Sequence, residues 1–155
     1  MHGLRTVLYP GAPDDVVGTS YEERGLAAVP TGPRGGVLPG QVGNLIVTAH
    51  RTAAGGPFRQ VPGLPNGAHV LVRWGGRTYD YVVVDRFRVT FHDPASYALQ
   101  VAPVPGHPGA TPTRAMLTLS TCATPEDNAL GIHERDALGN PPHRLDVVAV
   151  LVAVH

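Results

Sequence analysis

The chain of 155 residues is 43% apolar, enough to bury a core, so its composition excludes a disordered polymer and a small disulfide-stapled scaffold. Its 12 basic and 12 acidic residues cancel and neither sign gathers in a run, which argues against a nucleic-acid face or a polybasic membrane patch. All the basic residues are arginines, so no lysine amine is available for the chain's own chemistry.

Cys122 is the single cysteine and therefore a free thiol, which leaves the redox compartment open. No apolar stretch approaches the roughly 18 residues of a spanning helix, and no segment reads as a secretory signal, so the sequence reads as soluble.

The 19 glycines and 16 prolines cut the chain into short segments without sustained helical periodicity, which predicts an all-β fold. Taken in order, residues 6–9 and 26–29 are weak strand candidates in an opening segment, 1–36, whose strand pairing is not specified by pattern. Runs rich in β-branched residues then predict strands at 44–50, 69–74, 78–87, 115–121 and 144–155. Gly75-Gly76 joins the second and third of these in a two-residue hairpin, with Trp74 and Tyr79 expected to pair across it. Connections at 51–68, 88–114 and 123–143 are long enough to wall a site. Short helical turns are expected at 93–99, capped by Asp93 before Pro94, and at 126–130.

Period-two alternation sorts the strands into faces. Thr118, Ser120 and Cys122 share a face opposite Leu117 and Leu119, so the thiol ends its strand on the polar side. His50 ends its strand on the face of Asn44 and Thr48, away from Leu45, Val47 and Ala49. Arg144 and Asp146 open the last strand on the face away from Leu145, Val147 and Ala149. If the last strand runs antiparallel beside the cysteine strand, Arg144 lies level with Cys122. A thiolate nucleophile, an imidazole that exchanges its proton and a guanidinium that stabilises an oxyanion then meet at one rim. Taken singly, each residue fits a bland reading: a buried cysteine, a solvated histidine, a solvated arginine.

Thr118-Leu119-Ser120-Thr121-Cys122 resembles the Thr-Leu-x-Thr-Cys signature that ends the nucleophile strand of sortases. Gly43 to Thr52, with His50-Arg51 and Pro57-Phe58 beyond, is similar to the strand carrying the sortase histidine, and Arg144 stands where the family has its arginine. The stretch Val101-Ala102-Pro103-Val104-Pro105-Gly106, followed by 109–113, resembles actinobacterial class E-like sortases. The resemblance covers residues 37–155 and implies a closed eight-stranded β-barrel spanning one catalytic domain, 1–155. It implies a cysteine transpeptidase of a Gram-positive cell surface that cuts a C-terminal sorting motif, Leu-Ala-x-Thr-Gly or Leu-Pro-x-Thr-Gly, after threonine.

Its implied partners are secreted proteins bearing that motif and a cell-wall peptide amine. Cys122 would attack, His50 would move the proton, Arg144 would stabilise the oxyanion, and Thr121 and Ser120 would contact substrate. The family's location, the outer face of the membrane or the wall, implies an N-terminal membrane anchor, and no segment of this sequence reads as one.

No cofactor and no metal are expected. His69, His92, His107, His133 and His143 lack ligand spacing and read as surface residues, and Asp80, Asp85, Glu126 and Asp127 lack the acidic alternation of a calcium loop. Arg135, the rival to Arg144, reads as a solvated turn residue. The alternatives are a cysteine peptidase or wall hydrolase in which water resolves the thioacyl intermediate, and a catalytically weakened β-barrel binding module.

Overall fold

The β-branched runs become strands of one sheet in the computed structural model, which describes residues 6–10, 19–31 and 36–155. The strands are β1 (Thr6–Pro10), β2 (Ala27–Thr31), β3 (Gly43–Thr48), β4 (His69–Trp74), β5 (Arg77–Thr90), β6 (Ala115–Cys122) and β7 (His143–Val154). Three short α-helices, α1 (Thr19–Glu22), α2 (Pro94–Val101) and α3 (Thr124–Ala129), and one 3-10 turn, Val61–Gly63, sit in the connections among the described residues. Of the opening segment, 1–5, 11–18 and 32–35 lie outside the described residues.

The sheet order is β1-β2-β3-β6-β7-β5-β4. β1 pairs parallel with β2 and β3 parallel with β6, while the other neighbours are antiparallel. The weak candidates at 6–9 and 26–29 are thus partners of each other. The expectation of a closed eight-stranded barrel is corrected: among the described residues the sheet has seven strands and two edges, β1 and β4. Register shifts between Asp80 and Tyr81 and between Val83 and Asp85 in β5 are the kind of irregularity that curls a sheet. Closure would additionally need the edge strands to exchange hydrogen bonds, and β4 is paired with β5 alone.

The Gly75-Gly76 turn forms as expected, both glycines having positive φ, 56° and 77°. Its register sets Trp74 opposite Arg77 and Tyr79 opposite Val72, so the two aromatic residues are diagonal rather than paired. Tyr79 is instead packed where a side chain at Gly40 would be: a Cβ there would fall 2.4 Å from its ring. β5 continues past 87 because Arg88, Val89 and Thr90 find partners in Leu145, Arg144 and His143. α2 begins as its sequence dictates, with Pro94 in the first turn and Asp93 accepting a 2.9 Å hydrogen bond from the Ala95 N–H.

The apolar rows of the sheet, Leu45, Val47 and Ala49 with Leu117, Leu119, Val147 and Ala149, meet Phe58 and Tyr81 in the core. The opposite face is buried as well, although it is polar: Asn44, Thr48, Thr118, Ser120, Arg144 and Asp146 are all inaccessible or nearly so. Asn44 accounts for part of this cover. Its Nδ2 donates to the Gln100 and Ala102 carbonyls at 2.9 and 3.0 Å, and its Oδ1 accepts from Thr118 Oγ1 at 2.8 Å, which ties α2 and its exit to the strands. A polar face can be buried only when its groups find such partners.

Candidate active site

β6 lies between β3 and β7, and the registers of both ladders bring the three predicted residues to one end of it. On the antiparallel side Cys122 is directly opposite Arg144, and Ser120 opposite Asp146. On the parallel side Thr48 is opposite Ser120, and the same register carried two residues on sets His50 level with Cys122. The Ala49 N–H donating to the Ser120 carbonyl at 3.3 Å continues that pairing past the end of β3. The strand-face sorting holds, but its polar residues face a covered interior.

Arg144 has no solvent exposure, and Cys122 is 5% exposed. Arg144 Nε donates to Ser120 Oγ at 3.0 Å, and its guanidinium carbon lies 5.8 Å from the centre of the Phe91 ring. Nη1 and Nη2 have no hydrogen-bond partner among the described residues. Burial opposes the guanidinium charge, yet Cys122, Glu22, Asp146 and Tyr97 around it more than offset this and hold it protonated. A buried arginine beside a thiol, with Nη1 and Nη2 making no hydrogen bond among the described residues, is suited to receive a carbonyl oxygen as it becomes negative.

Burial pushes the Cys122 thiol up from its ordinary value. Arg144 pulls it back, Glu22 and Asp136 add to the rise, and Arg135 counters weakly. Burial likewise pushes Asp146 up to about 7, with Ser120 and Arg144 acting in the other direction. Ser120 steadies Asp146 only loosely, since no well-formed hydrogen bond from the described residues reaches either carboxylate oxygen.

Several supports escape a reading of pattern alone. Glu22, the last residue of α1, is fully buried with Oε2 3.7 Å from His50 Nδ1 and Oε1 3.6 Å from Arg144 Nη2. Arg51 forms a two-pronged pair with Glu126 at 3.0 and 3.4 Å, clamping the segment after His50 to the helix after Cys122. Asp127, buried at the heart of α3, binds Arg88 of β5 and, at 2.9 Å, His143 Nδ1. No motif marks Glu22, whose short helix has no periodicity to read. Arg51 was legible as the residue after His50 and Asp127 as one of four acidic residues, but the partner of neither was.

Thr121 and Ser120, expected to contact substrate, are both buried with their hydroxyls engaged inside the protein: Thr121 Oγ1 donates to the Ala49 carbonyl at 2.8 Å, and Ser120 Oγ accepts from Arg144. They brace β3 and Arg144 around the thiol. His143 is a correction to the surface reading, since its ring is held by Asp127 with its side chain 25% exposed. His69 and His92 are exposed and pair with Asp80 and Glu134. Arg135 lies on the exposed turn, donating to Asn128 Oδ1 at 2.9 Å. No group of three or more His, Cys, Asp or Glu side chains arranged to hold a metal occurs among the described residues.

The family model for the sortase domain matches residues 13–136. No curated protein matches the chain significantly. Among solved structures, the SrtA sortase from Actinomyces oris superposes with a TM-score of 0.71 at 21% identity, over 98% of this chain and 72% of its own. Sortase E from Streptomyces avermitilis does so at 0.63 and 24%, over 96% and 78%. Sortase E1 from Streptomyces coelicolor, solved with a tripeptide in the active site, gives 0.66 and 22%, over 96% and 80%. Sortases act at the cell surface on proteins carrying sorting motifs, and no helix among the described residues is long and apolar enough to cross a membrane. With the family model spanning most of its length and these structures sharing its curled sheet, the chain belongs to the sortase family of cell-wall sorting transpeptidases.

Proposed function

We propose that this chain is a class E-like sortase that cuts a Leu-Ala-x-Thr-Gly or Leu-Pro-x-Thr-Gly motif after threonine and passes the acyl group to a cell-wall amine. The observation that carries the reading is the direct opposition of Cys122 and Arg144 on the β6–β7 ladder, with His50 level on the other side of β6. The likeness to class E sortases, one of which holds a tripeptide in its active site, supports a peptide substrate.

In this mechanism the Cys122 thiolate attacks the threonine carbonyl carbon. The oxyanion is held by the Nη groups of Arg144, which make no hydrogen bond among the described residues. His50 protonates the departing glycine nitrogen as the C–N bond breaks, leaving a thioacyl enzyme. An amine then attacks the thioester carbon, His50 takes its proton, and the thiolate leaves. The absence of lysine agrees with an acceptor amine that comes from outside the chain.

The test incubates the protein with each motif peptide and a soluble amine and follows Cys122 by mass spectrometry. A thioacyl adduct and a ligated product are expected. No adduct with either peptide sinks the transpeptidase reading, and adduct followed only by hydrolysis favours the cysteine peptidase.

A further inference from the structure

Glu22 stands out among the buried groups because its carboxylate spans the two strands that flank the cysteine strand. Through Oε2 it reaches His50, just past β3, and through Oε1 it reaches Arg144 on β7, at 3.7 and 3.6 Å. β3 and β7 are the two neighbours of β6, so a carboxylate touching both straddles the strand that ends in Cys122. Neither of its oxygens accepts a hydrogen bond among the described residues, and it has no solvent exposure. Burying a carboxylate without hydrogen bonds is costly unless opposite charge compensates it. The cost makes sense where the group has to hold its partners in place.

We propose that Glu22 is a positioning residue of this site: its carboxylate links the His50 ring to the Arg144 guanidinium and holds the two on opposite sides of Cys122. It does not touch the reacting bond. It restrains His50 through one oxygen and the Nη2 end of Arg144 through the other, while Ser120 restrains the Nε end. Arg144 is thereby held at both ends, while neither Nη makes a hydrogen bond among the described residues.

The same charge has a second effect, on the thiol. The charged and titratable groups facing the site are Arg144 and Asp146 from β7, His50 after β3, Glu22 from α1, Tyr97 from α2, and Arg135 and Asp136 from the segment before β7. Burial is the main force keeping Cys122 protonated, and Glu22 reinforces it against Arg144. Removing the charge therefore eases thiolate formation and releases the pair, whereas shortening the reach misaligns the pair with the charge kept, and two variants separate these effects.

The experiment measures the rate of iodoacetamide alkylation of Cys122 against pH, together with kcat and KM for a Leu-Ala-x-Thr-Gly peptide and an amine. In Glu22→Gln, of equal size and no charge, the alkylation midpoint moves to lower pH by roughly half to one unit. Its kcat falls about tenfold or more with KM within about twofold, because orientation rather than binding is lost. In Glu22→Asp the charge remains and the midpoint stays near that of the wild type, but the shorter reach still lowers kcat. A wild-type midpoint in Glu22→Gln, or full kcat in both variants, overturns the proposal. Should Glu22→Gln fail to fold, Glu22→Asp decides: reduced kcat at an unchanged midpoint supports the role, and unchanged kcat refutes it. The kinetic arm rests on the transpeptidase reading, whereas the alkylation arm does not. An unreactive wild type whose alkylation midpoint still shifts on Glu22→Gln therefore defeats that reading while supporting the influence of Glu22 on the thiol.

Discussion

Cys122, the last residue of β6, and Arg144, the second residue of β7, are directly opposed partners in an antiparallel ladder. Their separation is set by backbone hydrogen bonding and not by a flexible loop, and the guanidinium is held further by Ser120 at 3.0 Å. A thiol and a cation fixed in this way need little reorganisation when charge develops between them.

Arg144→Lys keeps the charge but loses the Nε bond to Ser120 and the planar pair of Nη donors. Its kcat for motif-peptide transfer is expected to fall roughly 100-fold or more. Arg144→Ala leaves the fully buried Glu22 carboxylate without its guanidinium and costs about 3–5 kcal/mol of stability. Steady-state kinetics and urea unfolding distinguish the two, and an Arg144→Ala protein as stable as the wild type contradicts the buried ion pair.

Cys122→Ala removes the proposed nucleophile, a side chain 5% exposed, while changing volume little. Stability is expected to stay within about 1 kcal/mol of the wild type, and no thioacyl adduct should form. Residual peptide ligation by this variant, read by mass spectrometry, rules out Cys122 as the nucleophile.

Asp146 carries a pH signature. Its carboxyl is pushed by burial up to about 7 in the folded chain, so the folded state keeps a proton that the unfolded state has already released. Between roughly pH 4 and 7 the folded state binds more protons, and stability falls as pH rises through that window. Asp146→Asn cannot ionise, so it should be more stable than the wild type by a few kcal/mol at pH 8 and similar at pH 4. Thermal unfolding across this range provides the check, and a gap that widens toward acid refutes the assignment.

Asn44→Ala deletes the side chain that donates to Gln100 and Ala102 and accepts from Thr118. All of these contacts are buried, so the variant should lose about 2–4 kcal/mol. Because Asn44 ties α2 to the face that carries Arg144, amide exchange should rise in 94–102 before it rises in β6 and β7. Uniform protection across the sheet and α2 would show that the tie is unimportant.

Much of the fold was legible. The hairpin at Gly75-Gly76, the strands near 44, 69, 78, 115 and 144, and α2 behind Asp93-Pro94 all follow from local pattern, because pleat, turn and cap each impose a short-range residue preference. The convergence of Cys122, His50 and Arg144 at one strand end was also readable, since period-two alternation and an antiparallel return are enough to place them. The opening strands were weak in pattern because β1 and β2 pair parallel with each other, and nothing in either segment names its partner.

By itself, then, the sequence determined the all-β class, the polar face that ends in Cys122 and the family signature around it. It could not determine that this face is covered, because cover comes from α1 and α2, brought back across the sheet by chain far from β6 and β7. Only the tertiary structure decided that Arg144 is buried, that Ser120 and Thr121 spend their hydroxyls on internal bonds, and that the sheet among the described residues stops at two edges instead of closing. The same long-range packing set Glu22 across the cysteine strand. Strand faces are a local property of the chain, while burial and charge pairing depend on which distant segments meet.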